Sequence, residues 1–202
     1  MLEYTLESEL YEQGFRAVCG VDEAGRGPLC GPVVAAAVIL PQGLYLEGLN
    51  DSKKLTEKKR EALYDAICEN AIAYAIAEGS VEQINQTNIL EATLAAMRQA
   101  IASLPISADF ALIDGNISRG FSIPAKAVVH GDAISPSIAA ASILAKVTRD
   151  RACLELDRQY PQYGIAKHKG YGTKDHMAAL RTYGPAPIYR TKFIRFLNED
   201  KE

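Results

Sequence analysis

Strands that alternate with helices along the chain predict an α/β layer architecture built on one sheet. Three observations carry that prediction. The run Pro32–Leu40 (PVVAAAVIL) is continuously apolar, as expected of a strand covered on both faces. Leu63, Ala66 and Ile67 fall at helical spacing behind Thr56. Ser135 and Pro136 have the chemistry of an N-cap followed by the first helical position. The 202 residues suffice for one compact core rather than two, so a single domain is expected over 1–202.

Taken in order, residues 3–13 form a short polar helix, and Phe15–Val21 gives a mostly apolar first strand. Pro32–Leu40 is the second strand, and Thr56 caps an amphipathic helix that runs to about Glu69. Ala71–Glu78 is a short strand or extended segment. Asn88–Leu104 repeats Ile89, Leu94, Met97 and Ile101 as a helix closed by Pro105. Asp109–Ile113 and Ala125–Val129 are two further strands, and the helix opened by Ser135 extends through Ala139–Ala145 to Tyr160. There is no internal repeat.

Composition excludes several classes. With 48% apolar and 23% charged residues the chain is neither disordered, collagen-like nor coiled coil. It has no apolar run long enough to span a bilayer, and its first residues carry acids where a signal peptide carries bases. Cys19, Cys30, Cys68 and Cys153 lie far apart without a CxxC pair, which suits reduced thiols. A cytoplasmic location is expected, with no membrane partner. Lys+Arg 22 against Asp+Glu 25 gives a net charge of −3, yet the bases cluster. Lys167, Lys169, Lys174, Arg181, Arg190, Lys192 and Arg195 share one stretch with a single acid, Asp175, and a second cluster spans Lys53 to Arg60. Interleaved Tyr171 and glycines point this stretch toward phosphate and base contact, the alternative being a solvated face.

The acids have their own pattern. Val18–Val21 runs into Asp22 and Glu23, Ala111–Ile113 into Asp114, and Val128–Gly131 into Asp132. Strand ends gather such side chains into one crevice. Unpaired carboxylates brought together repel each other, and a divalent cation removes that cost; all-oxygen ligands indicate Mg²⁺ or Mn²⁺ rather than zinc. Adjacent residues of a regular strand face opposite ways, so Asp22 and Glu23 serve one ion only if Ala24–Pro28 breaks the pleat and turns Glu23 inward, or if Glu23 offers its carbonyl. Each acid taken singly also suits a turn or cap.

Gly25-Arg26-Gly27 is neither a Walker A loop nor a dinucleotide fingerprint, because the spacing is GxGxxxG and a strand follows. Its glycines let the backbone approach a sugar edge closely. With DEAGRGP (Asp22–Pro28), DSKKL (Asp51–Leu55), LIDGN (Leu112–Asn116), GDA (Gly131–Ala133), ASILAKVTRD (Ala141–Asp150) and HKGYGT (His168–Thr173), the chain resembles ribonuclease HII over roughly residues 15–185. The resemblance implies a ribonuclease H-like fold, a central mixed β-sheet flanked by helices with a helical C-terminal segment. The implied activity is endonucleolytic cleavage of the RNA strand of RNA–DNA hybrids, including 5′ of single ribonucleotides in duplex DNA. It makes Asp22, Glu23, Asp114 and Asp132 the catalytic, metal-binding carboxylates, with one Mg²⁺ or Mn²⁺ in the free enzyme and two with substrate. The Gly25, Arg26 and Gly27 backbone reads the 2′-OH, and Tyr171 stacks on the adjacent deoxyribose.

Phosphates are then held by Lys53, Lys146, Arg149 and part of a basic substrate-binding segment at about 161–202. Independently, Ser142, Lys146 and Arg149 fall at i, i+4 and i+7 on one helical face. Pairing of Lys146 and Arg149 with Asp150 or Glu155 is their competing role, and Asp150 is expected to be structural. His130, His168 and His176 lack ligand spacing and are assigned no catalytic role. Tyr189-Arg190-Thr191-Lys192-Phe193 departs from the family's usual His-Arg-x-Ser-Phe, which puts the packing there in question. A monomer is the default. The rival readings are a hybrid-binding module without turnover and a DNA nuclease of the same fold.

Overall fold

The structure, a computed structural model, describes residues 2–199; the last three positions of the expected basic segment fall outside that range. Five strands, β1 (Val18–Ala24), β2 (Val33–Ile39), β3 (Ala73–Gly79), β4 (Phe110–Asp114) and β5 (Ala125–Val128), form one sheet in the order β3-β2-β1-β4-β5. β1, β2 and β3 pair antiparallel, whereas β4 runs parallel to β1 and β5 parallel to β4. The sheet is therefore mixed, as expected.

Its two faces are covered by different helices. Val21, Ala35, Ala37 and Ile39 pack against Leu94, Met97 and Ile101 of α4 (Ile89–Ala102). Val34, Ala36 and Val38 pack against Leu63 and Ile67 of α2 (Glu57–Asn70) and Ala140–Leu144 of α5 (Pro136–Gln159). Alternate residues of β2 enter opposite cores, which is why its sequence is apolar without interruption. The predicted caps are in place, with Thr56 accepting from Lys59 N–H and Ser135 from Ile138 N–H, and Asn88 caps α4 in the same way by accepting from Glu91 N–H. α1 (Thr5–Glu12) docks through buried Glu7, whose carboxylate accepts from Ser135 Oγ at 2.6 Å and from the Ser137 hydroxyl.

Two corrections follow. β1 does not stop at Val21; it carries the pleat through Asp22 and Glu23 to Ala24, paired with Val34. A helix unanticipated between β3 and α4, α3 (Val81–Gln86), is opened by a capping box in which Ser80 and Gln83 satisfy each other's backbone N–H groups.

At 24 residues α5 is about 36 Å long, more than the sheet is able to cover. Its C-terminal half packs instead with the expected helical C-terminal segment: α6 (Ile165–His168), α7 (Lys174–Tyr183) and α8 (Phe196–Glu199). Cys153, Tyr163, Ile165, Leu180, Ile188 and Tyr189 bury one another there, with Cys30. All four cysteines are free thiols, three of them buried. Among the described residues no helix is long and apolar enough to cross a membrane.

Candidate active site

The parallel pairing of β1 with β4 fixes the first two carboxylates. Val21 registers with Ile113, so Asp22 and Asp114 come next, side by side at the same end of the sheet. Asp114 Oδ1 then accepts the Gly131 N–H at 2.7 Å, which holds the tight turn Gly131–Ala133 against the end of β4 and brings Asp132 near. Even-numbered residues of β1 face α5. Asp22 accordingly lies on the side of Ser142, whose hydroxyl tempers the rise in its pKa, and Ser52 Oγ lies 2.7 Å from Ser142 Oγ. That buried serine pair ties the turn Ser52–Lys54 to the helix beside the carboxylate.

A cleft of about 260 Å³ opens over this end of the sheet, lined by Asp22, Glu23, Asp114, the Gly25–Gly27 loop, Lys53, Lys146, Lys169 and Tyr171. Both adjacent acids reach it because it wraps the end of β1; no break in the pleat is needed. Asp132 is buried just outside the lining, and Lys53, which lines the cleft, donates to its Oδ2 at 3.3 Å. Arg26 donates to Glu23 Oε1 at 3.3 Å.

Electrostatic crowding is evident. Burial, then Glu23 and Asp114, hold the Asp22 carboxyl well above the usual carboxylate range. Burial also raises Glu23 and Asp132, against the opposing pull of Arg26 on the one and Lys53 on the other. For Lys53 itself burial works against the charge, and Asp132, Asp22 and Asp51 outweigh it and raise its pKa. As the side chains stand, no group of three or more His, Cys, Asp or Glu among the described residues converges closely enough to hold a metal ion. The donor set nonetheless fits a hard dication in kind: its side chains are all oxygen ligands, crowded and short of positive charge. Beside Asp132 an ammonium takes the place of that charge.

The glycine loop is built from behind. Gly25 has φ +96°, and a Cβ there would lie 2.7 Å from Arg149 Nε. Gly27 faces Tyr171, whose ring would meet a Cβ at 3.3 Å, so the loop and the tyrosine adjoin. Tyr171 is half-exposed. The Gly170 carbonyl accepts from Leu29 N–H at 2.8 Å, and the Tyr171 carbonyl accepts from His176 Nδ1 at 2.9 Å. His176 is fully buried, stacks on His168 at 4.1 Å and meets the Tyr189 hydroxyl at 2.9 Å through Nε2. Burial, then the backbone acceptor opposing it and His168 reinforcing it, lowers the His176 pKa.

The basic residues divide by environment. Arg149 lines the cleft but is almost wholly buried: it donates to Cys30 O at 2.9 Å and to Cys153 Sγ, and props the loop from beneath. Of the seven bases between 167 and 195, Lys169 alone lines the cleft. Lys167 pairs with Asp175, Lys192 donates to Thr87 O, and Arg190 is wholly buried. Lys146 faces the cleft while bonded to Asp150 at 2.6 Å; Asp150, also 3.8 Å from Arg60, is the structural partner expected. Arg190 was legible as one more base and as the arginine of the Tyr189–Phe193 stretch, with no role attached to it. Its Nε, Nη1 and Nη2 in fact donate to Gly31, Arg26, Pro28, Gly25 and Pro32 carbonyls at 2.7–3.1 Å. Burial, then Arg149, pulls its pKa down to about 10, still charged at neutral pH.

With this geometry in place, the comparisons with known proteins are specific. A family model described as ribonuclease HII matches residues 19–196. A ribonuclease HII of an Azoarcus species is 56% identical over 181 residues, 90% of this chain and 89% of that protein. The Acetivibrio thermocellus ribonuclease HII is 52% identical over 189 residues, 94% of this chain and 74% of that protein. Among solved structures, ribonuclease H2 from Pyrococcus horikoshii superposes with a TM-score of 0.75 at 28% identity, covering 92% of this chain and 98% of that one.

Proposed function

This chain belongs to the ribonuclease HII family and is an endoribonuclease acting on the RNA strand of RNA–DNA hybrids; we propose that it also cuts 5′ of a single ribonucleotide embedded in duplex DNA, leaving 3′-hydroxyl and 5′-phosphate ends. The supporting observation is the single cleft in which Asp22, Glu23 and Asp114 face the Gly25–Gly27 backbone and Tyr171. A carboxylate cluster alone suits any nuclease of this fold. A close-approaching glycine backbone beside it suits one that tests for the 2′-OH, the atom that separates RNA from DNA.

In this reading Asp22, Glu23, Asp114 and Asp132 would hold Mg²⁺ or Mn²⁺, one ion in the free enzyme and two with substrate, which supply an activated water and stabilise the leaving 3′ oxygen. The Gly25, Arg26 and Gly27 backbone contacts the ribose, and Tyr171 stacks on the next sugar. Lys53, Lys146 and Lys169 neutralise phosphates along the cleft, the last of them contributed by the basic C-terminal segment.

The test is incubation with Mg²⁺ or Mn²⁺ of a duplex carrying one ribonucleotide, beside an all-DNA control. Cleavage of the first alone is expected. Cleavage of both would indicate a DNA nuclease, and cleavage of neither a binding module. Asp22→Asn should slow turnover by about a thousandfold, as loss of several kcal/mol of charge stabilisation implies. Hybrid binding should persist, and wild-type turnover in that variant would refute the carboxylate assignment.

A further inference from the structure

We propose that Arg190, with Tyr189 beside it, is the positioning residue for ribonucleotide recognition: it turns the peptide N–H groups of Arg26 and Gly27 toward the ribose. This rests on the Gly25–Gly27 backbone being the ribose reader. A guanidinium has five N–H donors, and at Arg190 five backbone carbonyls take them, those of Gly25, Arg26, Pro28, Gly31 and Pro32. Among the described residues no carboxylate pairs with it, so the carbonyl dipoles, with the Phe193 ring 5.4 Å from its Cζ, compensate a fully buried charge. Such an arrangement persists only if all five oxygens stay pointed at it.

The consequence for the loop comes from peptide planarity. In a trans peptide the C=O of one residue and the N–H of the next point in opposite directions. With the Gly25 and Arg26 carbonyls drawn back onto Arg190, the N–H groups of Arg26 and Gly27 face the other way, and these residues line the cleft. The loop is thereby fixed as a pair of donors, matched to a 2′ oxygen acting as acceptor.

Tyr189 does the equivalent for the neighbouring loop. A carbonyl only accepts, so His176 Nδ1 donates to Tyr171 O, and Nε2 of the neutral ring accepts from the Tyr189 hydroxyl. Backbone hydrogen bonds join the two halves: Arg190 N–H donates to Leu29 O at 2.9 Å and Gly31 N–H to Ile188 O at 2.9 Å. One dipeptide thus sets both surfaces that meet at Gly27 and Tyr171.

Lysine keeps the charge of Arg190 but has three donors on one atom and cannot span the five oxygens. In an Asp22→Asn background, where cutting is suppressed, fluorescence anisotropy compares a duplex with one ribonucleotide against all-DNA. Adding Arg190→Lys should reduce the preference for the ribonucleotide about tenfold while all-DNA affinity stays within about twofold. Tyr189→Phe should weaken junction selection, and Tyr189→His, which restores a ring donor to His176, should recover it. An unchanged preference in Arg190→Lys overturns the proposal. No preference in the Asp22→Asn parent would instead overturn the ribose-reading assignment. Should Arg190→Lys fail to fold, amide exchange in the Asp22→Asn protein decides the matter: Arg26 and Gly27 must gain protection with the ribonucleotide duplex and not with all-DNA, and equal protection refutes it.

Discussion

Asp22 bears the highest electrostatic cost in the cleft. Its proton affinity is raised by burial and by Glu23 and Asp114, so folding favours the protonated form. A raised carboxylate pKa contributes stability that is present below the unfolded value of about 3.8 and lost as pH rises through the folded value. In chelator at pH 8, Asp22→Asn should therefore melt a few degrees above wild type, and the gap should close as the pH falls through that range. Mg²⁺ should narrow it from the other side by raising the wild-type melting temperature more than the variant's. A scanning-calorimetry series in pH and Mg²⁺ checks both. At Tyr171 the expected contribution is base or sugar stacking of about 1–3 kcal/mol, so Tyr171→Ala should slow cleavage at an RNA–DNA junction about 5- to 160-fold. Cleavage inside a long hybrid should suffer less. Equal losses on the two substrates in single-turnover assays would remove the junction role.

The elements that deliver these residues depend on one close approach. A Cβ on Gly20 would lie 2.1 Å from the Ser137 carbonyl carbon and 2.2 Å from Ile138 N, both backbone, so the first turn of α5 crosses β1 as near as two backbones allow. That approach sets the distance from Asp22 to Ser142, one turn and more further along the helix. Gly20→Ala should destabilise the protein by about 1–3 kcal/mol or more in urea unfolding, because the obstructing atoms are not side chains able to move aside. Cleavage should fall further than the loss of folded protein explains, since α5 also carries Lys146 to the cleft. The apolar spacing that announces the covering helices α2 and α4 was readable in Leu63, Ile67, Met97 and Ile101. The extent of β1 was not, because a strand takes charged residues at its end whenever a crevice receives them.

For the whole molecule the net charge of −3 says little about its partner, since Lys53, Lys146 and Lys169 gather on one cleft while acids dominate elsewhere. Duplex binding should weaken steeply with salt. Lys169→Ala should reduce the magnitude of the log K against log salt slope by about one, as expected when a single phosphate is left unneutralised. An unaltered slope in a titration from 50 to 200 mM salt (a range of about fourfold) would place Lys169 outside the interface. The same view sorts the basic residues by their surroundings. Composition shows Arg149 and Arg190 as positive charges of the same kind as Lys169, and only the packing of the C-terminal helices against residues 28–32 reveals that both arginines are spent on backbone carbonyls and a thiol.

Local chemistry, written in the chain itself, was enough to determine four of the helices, the caps at Thr56 and Ser135, the doubly covered strand and the four acids that follow apolar runs, because periodicity and capping act over a few neighbouring residues. The carboxylates, the glycine loop and the tyrosine were also recognisable as ordered motifs. What only the tertiary structure decided is orientation: that Asp132 is turned to Lys53, that Asp22 lies beside a buried serine pair, and that Arg190 faces inward. Those outcomes depend on which distant carbonyls and carboxylates surround a side chain, and a buried charge settles wherever long-range packing supplies enough partners to replace water.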